Sequence, residues 1–171
     1  MGVIPIRVVA LDVYGTILAF DDYDYSYRSR EGLEDFFDDC EERGIKVVTS
    51  SDAFTGSVKN DLSIAFKFVL QAMLDIEAIS RMQRRLNINR FDGFFQLDQG
   101  VKDFSVIIGH YGITSEELLV VGDNFEKDIC GALKVGARKI HCPVYGINQG
   151  KEWDFRKIDL DNVEKVREVP S

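Results

Sequence analysis

Two short apolar runs that end abruptly in acid constrain the fold of this chain more than any other feature. Val8-Val9-Ala10-Leu11 leads into Asp12-Val13-Tyr14-Gly15-Thr16. Leu118-Leu119-Val120-Val121 leads into Gly122-Asp123-Asn124-Phe125-Glu126-Lys127-Asp128, about 110 residues later. An unbroken apolar run of this kind reads as a strand buried on both faces, the habit of parallel sheets. A carboxylate just past the end of such a strand stands where open α/β sheets bind ligands. Two such turns can bring several acids together, and clustered acids coexist only with a cation or a shared proton.

The rest of the chain alternates strand and helix signals. Arg7 to Leu11 reads as the first strand, Ile45 to Val48 as the second, Phe94 to Leu97 as the third, Leu118 to Val121 as the fourth and Lys139 to His141 as the fifth. Leu33, Phe36, Phe37 and Cys40 recur at helical spacing between Gly32 and Arg43, and Gly44 is placed to end that helix. Phe104 to Tyr111 and Glu126 to Val135 read as further helices, the second closed by Gly136. A weak strand or turn is expected after Trp153, then a short helix from about Leu160. This alternation predicts an α/β fold: a mostly parallel five-stranded sheet with helices on both faces, in one domain.

Two segments stand apart. Residues from about Ala19 to Arg30 are polar and tyrosine-rich (Tyr23, Tyr25, Tyr27) and read as a loop or short flap. Ser57 to about Leu86 reads as a long helical segment. Its stripe of Leu62, Phe66, Val69, Met73 and Ile76 is widened by Ile64, Phe68, Leu70, Leu74 and Ile79 past a single face. Such a segment is buried on two sides, broken into two helices, or used in part as a dimer contact or lid.

Composition narrows the partners. The net charge is −8 across 171 residues, which argues against nucleic acid and anionic membranes. The three cysteines, Cys40, Cys130 and Cys142, are odd in number with no CxxC spacing, which fits a reducing cytoplasm better than a disulfide framework. No apolar stretch reaches spanning length, and the first residues read as a strand rather than a leader.

The chemistry concentrates after the strands. Asp12, followed by a glycine that permits a tight turn, suits a nucleophile, a metal ligand or a plain turn residue. Thr16 is a turn hydroxyl or orients Asp12. Asp123 and Asp128, five residues apart, either aim at one point as hard oxygen ligands of the kind Mg²⁺ takes, or cap a helix. Lys102 follows the third strand, where it can neutralise a carboxylate or remain a solvated lysine. Thr49 and Ser50 close the second strand with hydroxyls that suit an anion or an ordinary turn. Each signal alone is weak, but all follow different strands at one sheet edge.

That set resembles the haloacid dehalogenase superfamily, whose members use an aspartate nucleophile on a Rossmann-like three-layer core. Asp12-Val13-Tyr14-Gly15-Thr16 is similar to its first motif, Thr49 to its second, Lys102 to its third and Gly122-Asp123 through Asp128 to its fourth. Arg30-Glu31-Gly32-Leu33-Glu34 resembles the segment before its first helix. The resemblance implies a Mg²⁺-dependent phosphatase in which Asp12 forms an aspartyl-phosphate. Asp12, Asp123, the Tyr14 carbonyl and Asp128 would hold the metal. Thr49 and Lys102 would hold the transferring oxygens, with Tyr14, Thr16, Ser50 and Asn124 as substrate contacts. The short insert after the first motif implies a nearly capless site, open to bulky phosphorylated molecules or closed by a second subunit.

One departure bears on mechanism. Phosphatases of the superfamily usually carry a second Asp two residues after the nucleophile as acid and base, and here that place holds Tyr14. Loss of a positioned acid costs roughly 10²–10⁴ in rate, and an unshifted phenol, with a pKa of roughly 10, is a poor replacement. Asp52 is a further candidate for that task. Dehalogenases of the superfamily tolerate a tyrosine there because halide leaves without a proton, and Arg28 or Arg30 would suit a substrate carboxylate. Against that reading stand the metal-type acid pair and the short insert. A non-catalytic protein binding metal or phosphate is the remaining alternative.

Overall fold

The computed structural model describes residues 4–147 and 153–163. Strand β1 (Val8–Asp12) is followed by a hairpin of β2 (Leu18–Asp21) and β3 (Ser26–Ser29), then helix α1 (Leu33–Glu42) and strand β4 (Lys46–Ser51). Helices α2 (Thr55–Gln71) and α3 (Ile76–Arg85) lead to β5 (Gly93–Gln96), α4 (Ser105–Tyr111), β6 (Leu118–Gly122), α5 (Cys130–Val135) and β7 (Arg138–His141). The main sheet has the order β5-β4-β1-β6-β7, and every neighbouring pair in it is parallel.

Strict alternation along the buried strands divides the apolar side chains between the two faces. Val9 and Leu11 of β1, Val47 of β4, and Leu119 and Val121 of β6 pack with Leu33, Phe36 and Phe37 of α1 and with Val58, Leu62, Ala65 and Phe66 of α2. Val8, Ala10, Val48, Leu118 and Val120 point the other way, onto Phe104, Ile107 of α4 and Ala132 of α5. The expected α/β sandwich with helices on both faces is therefore present, and its sheet is parallel throughout.

This strand order puts the two acid-bearing turns side by side. After β1 the chain builds outward through β4 and β5, then returns to the other side of β1 for β6 and β7. The strand order reverses between β1 and β6, where α/β sheets open a crevice at their C-terminal ends. Leu11 lies level with Val121 across that junction, and Asp12 lies level with Ser50 on the other side.

Three elements take a more definite form than the sequence reading gives them. Strand β4 runs on through Thr49, Ser50 and Ser51, all nearly fully buried, because both neighbouring strands continue to pair with it past the apolar run. The flap is a two-stranded antiparallel hairpin rather than a loop, with Leu18 opposite Ser29 and Asp21 opposite Ser26. The long helical segment breaks at residues 72–75, where the Asp75 carboxylate accepts the Glu77 N–H at 2.9 Å and starts α3 afresh. The apolar stripe consequently stops short: Leu62 and Phe66 are buried, whereas Leu74 and Ile76 are exposed.

Helix α3 has no fully buried side chain, but Met82 packs partly buried against the core, Leu86 just past its end is buried, and ion pairs add to these contacts. Arg85 reaches Asp35 and Asp38 of α1, and nearby Arg90 reaches Asp38 and Glu41. Beyond β7, Phe155 packs on Phe36 with ring centroids 5.7 Å apart, and Ile158, Leu160 and Val163 join the same core face. A single 3₁₀ turn spans Phe155–Lys157, and most of the helix expected from Leu160 lies outside the described residues. Among the described residues no helix is long and apolar enough to cross a membrane.

Leu62 has no exposed surface, so Leu62→Ala should lower unfolding stability by about 2–5 kcal/mol. Urea denaturation should show this as a lower midpoint at unchanged slope. A midpoint equal to that of the unaltered protein would mean that α2 is not part of the core.

Candidate functional site

Asp12 ends β1, and the chain turns sharply beyond it. The Val13 carbonyl accepts the N–H groups of Ile17 and Leu18, each at 2.9 Å, and Gly15 takes a φ of 87°. A side chain at Gly15 would be strained by that φ and would place its Cβ 2.6 Å from Asp123 Oδ2. The first acid turn thus lies directly against the second.

A buried arginine holds the first turn in shape. Arg30 is 3 % exposed and donates to main-chain carbonyls: Nε to Thr16 at 2.8 Å, Nη2 to Gly15 at 3.0 Å and Pro143 at 2.6 Å, and Nη1 to Trp153 at 3.2 Å. The rings of Tyr145 and Trp153 lie over its guanidinium, each centroid 4.9 Å away. Its donors are therefore spent on the turn that follows Asp12 and on the segments after β7. In the sequence Arg30 stands out only as part of a segment before a helix and as a carboxylate receptor. Its contacts lie up to 123 positions away, and no local pattern signals them.

The second turn uses helix geometry to aim its acids. Residues Phe125–Ile129 form a single π-helical turn ahead of α5. Such wide turns cluster at functional sites. Asn124 caps the turn, its Oδ1 accepting from the Lys127 N–H at 2.9 Å. Asp128 folds back toward the strand, its Oδ2 accepting the Asn124 N–H at 3.2 Å. Only a glycine at position 122 allows this, since a Cβ there would come within 2.4 Å of the Asp128 carboxyl.

Between the turns, Asp12, Asp123 and Asp128 each bring a carboxylate oxygen within 4.8 Å of the others. Lys102, 3 % exposed, donates from Nζ to Asp12 Oδ1 at 2.8 Å, Asp128 Oδ1 at 2.5 Å and the Ser50 carbonyl at 3.0 Å. The Thr16 hydroxyl lies within hydrogen-bonding reach of Asp12 at 3.2 Å and Asp123 at 3.1 Å. Burial raises the pKa of Asp12 to about 7, with Asp123 adding to the rise and Lys102 opposing it. Burial and then Asp12 raise Asp128 to about 6. Burial by itself pulls Lys102 down, but its two carboxylate partners outweigh it and leave its pKa raised.

The donor set fits a hard divalent cation. All three side chains offer oxygen, the ligand type that Mg²⁺ takes, and burial holds two of them above the ordinary carboxylate range. Thr49 Oγ1 and Ser50 Oγ are buried hydroxyls without a protein partner at the same edge of β4, beside Asp12. Buried polar atoms left unpaired in this way are uncommon and suit an oxygen-rich ligand.

The remaining candidates occupy the rim. Asp52 pairs with Lys127 at 3.0 Å, which holds its carboxyl below the usual range and unsuited to deliver a proton. Tyr14 turns its hydroxyl to Asp61 of α2, donating to Oδ2 at 2.5 Å; burial and that carboxylate push the phenol well above its ordinary pKa. His141 Nε2 lies 3.0 Å from the Asp123 carbonyl. The Cys142 thiol, 2 % exposed, lies 3.8 Å from Thr16 Oγ1. Asp61, His141 and Cys142 carry no sequence signal that ties them to the acid turns.

A HAD-hydrolase-like family model matches residues 102–147, a span that includes Lys102, Asp123 and Asp128. No curated protein matches the chain. Solved structures share its fold. A predicted phosphoglycolate phosphatase from Haemophilus somnus aligns with a TM-score of 0.58 at 11% identity, over 90% of this chain and 96% of the other. A HAD-superfamily hydrolase of subfamily IA from Geobacter sulfurreducens gives 0.54 at 12% identity, over 89% and 97%. A haloacid dehalogenase-like hydrolase from Xanthomonas campestris gives 0.54 at 10% identity, over 96% and 86%. The matched segment is similar to that family over residues 102–147, and the solved structures share the fold of the chain.

Proposed function

We propose that this protein is a Mg²⁺-dependent phosphatase that works through an aspartyl-phosphate on Asp12. The observation that carries the reading is the convergence of Asp12, Asp123, Asp128 and Lys102 at the sheet edge where β1 and β6 end. The phosphatase named among the structures of similar fold is consistent with it.

Asp12, Asp123, Asp128 and the Tyr14 carbonyl are the residues that would hold the cation. When bound, the cation neutralises charge on the transferring phosphoryl group. Asp12 attacks phosphorus, and the ester oxygen leaves with its bonding pair. Lys102 keeps Asp12 oriented and adds positive charge beside the phosphoryl oxygens. Thr49 and Ser50 offer buried hydroxyls to those oxygens, and Thr16 steadies Asp12 and Asp123. The short hairpin leaves the site nearly capless, so the substrate is a phosphorylated molecule whose far end reaches solvent.

The dehalogenase alternative loses its carboxylate receptors. Arg30 gives its donors to main-chain carbonyls, and Arg28 pairs with Asp24 at 2.6 Å.

With p-nitrophenyl phosphate and Mg²⁺, Asp12→Asn should reduce turnover by on the order of 10⁴-fold or more. Turnover persisting in that variant would rule out Asp12 as the nucleophile.

Linkage gives a second test. Asp12 and Asp128, raised to about 7 and about 6, hold protons more tightly in the folded chain than in the unfolded one. Without metal, their favourable contribution is complete below a pH of roughly 4 and is lost as pH rises through 6 and 7. A cation that binds the ionised cluster reverses that loss. Mg²⁺ should therefore raise Tm clearly near pH 8 and little near pH 5. Equal increments at both values would contradict a cation site built on these acids.

A further inference from the structure

We propose that Asp61, carried on α2, is the final proton acceptor for the water that frees Asp12, acting through the phenol of Tyr14. The inference rests on the phosphatase reading and supplies the proton path which that reading leaves open.

Hydrolysis of an acyl phosphate requires the attacking water to lose a proton, and most groups at the site are committed elsewhere. Asp12 carries the phosphoryl group at that stage. Asp123 and Asp128 belong to the cation cluster, and Lys102 is a donor fastened to two carboxylates and a carbonyl. Asp52 is bound in an ion pair with Lys127. Tyr14 remains, two residues beyond Asp12 and partly exposed, with its hydroxyl 2.5 Å from Asp61 Oδ2.

The geometry sets the direction of transfer. The phenol donates to the carboxylate, so its oxygen keeps lone pairs that can accept a hydrogen bond from water. Asp61 is partly exposed and, among the described residues, forms no ion pair that would hold it away from this role. The pair is also rigid. Leu62, Ala65 and Phe66 anchor α2 in the core next to Asp61, and the ring of Tyr27 packs on Tyr14 with centroids 5.7 Å apart.

The step balances. The water oxygen forms a bond to phosphorus, and the bond from phosphorus to the Asp12 oxygen breaks, its electron pair returning to the Asp12 carboxylate. One water proton passes to the Tyr14 oxygen as the Tyr14 proton passes to Asp61 Oδ2. Asp61 then releases that proton to solvent. In this arrangement the pair accepts a proton and has none to give in the first step, when the substrate oxygen departs. The substrate class is therefore one whose leaving group departs without protonation, such as aryl, enol or acyl phosphates rather than simple alkyl phosphates.

The test separates this role from mere docking of α2. Asp61→Asn keeps an oxygen to accept the Tyr14 hydrogen bond but loses the base. With p-nitrophenyl phosphate and Mg²⁺, it should release one equivalent of nitrophenol per enzyme in a burst. It should then turn over roughly 10²–10⁴-fold more slowly than the unaltered protein, with phosphorylated Asp12 accumulating by intact mass. Tyr14→Phe should behave alike, and Asp61→Glu should recover part of the steady rate. Steady turnover of Asp61→Asn equal to that of the unaltered protein would overturn the relay while leaving the phosphatase reading intact. So would equal loss of burst and steady rate in a variant with native circular dichroism. Absence of Asp12-dependent turnover in the unaltered protein would instead overturn the phosphatase reading, and the relay with it.

Discussion

A single buried ammonium group lets the acids of this protein occupy one place. Lys102 joins Asp12 and Asp128 across the junction of two parallel strands, and all three are shielded from solvent. Desolvating such charges costs several kcal/mol per ion, repaid only when the geometry is close and the remaining donors are satisfied. Here the third Lys102 hydrogen bond goes to the Ser50 carbonyl on β4, so the lysine also ties the acid cluster to the neighbouring strand. One positive charge among three carboxylates still leaves the site acidic, and burial, opposed only in part by Lys102, raises the pKa values of Asp12 and Asp128.

Everything around the cluster serves close approach. Two glycines remove side chains where carboxyl groups must pass, Gly15 beside Asp123 and Gly122 beside Asp128. The π-helical turn at Phe125–Ile129 widens the backbone enough for Asp128 to face back over Gly122. Arg30 adds side-chain donors to the Gly15 and Thr16 carbonyls of the first turn, beside the main-chain hydrogen bond that Tyr145 gives Gly15. The result is a rigid edge on which short, directional contacts can be held.

The flank of the site is built differently. Helix α2 is anchored by several buried apolar side chains, while α3 rests on partly buried Met82, on Leu86 at its end and on arginine contacts to α1. Ion pairs of this exposed kind are worth little individually, so the apolar contacts do most to hold α3 in place. The β2–β3 hairpin is packed to α2 through the Arg28 guanidinium over the Phe68 ring and to the first turn through Tyr27 and Tyr14. On the reading proposed for this site, that makes α2 both the side wall and the source of a proton acceptor.

The acid turns, the alternation of strand and helix, and the parallel sheet were all legible in the sequence, because apolar runs and helical periodicity are local properties of the chain. The positions of Asp12, Lys102, Asp123 and Asp128 followed once each was placed after a strand of one sheet. Other features were settled only by tertiary contact. Val69, Met73 and Ile76 continue a helical stripe in the sequence, yet Val69 is only partly buried on the core, and beyond it Asp75 captures the Glu77 N–H and leaves Ile76 exposed. Arg30 reads as part of a segment before a helix, or as a carboxylate receptor, until four main-chain carbonyls enclose it, and Tyr14 reads as a lost acid until α2 brings Asp61 to its hydroxyl. Periodicity can say which residues face inward; it carries no record of which polar groups meet across the fold, since those meetings depend on how separate elements pack.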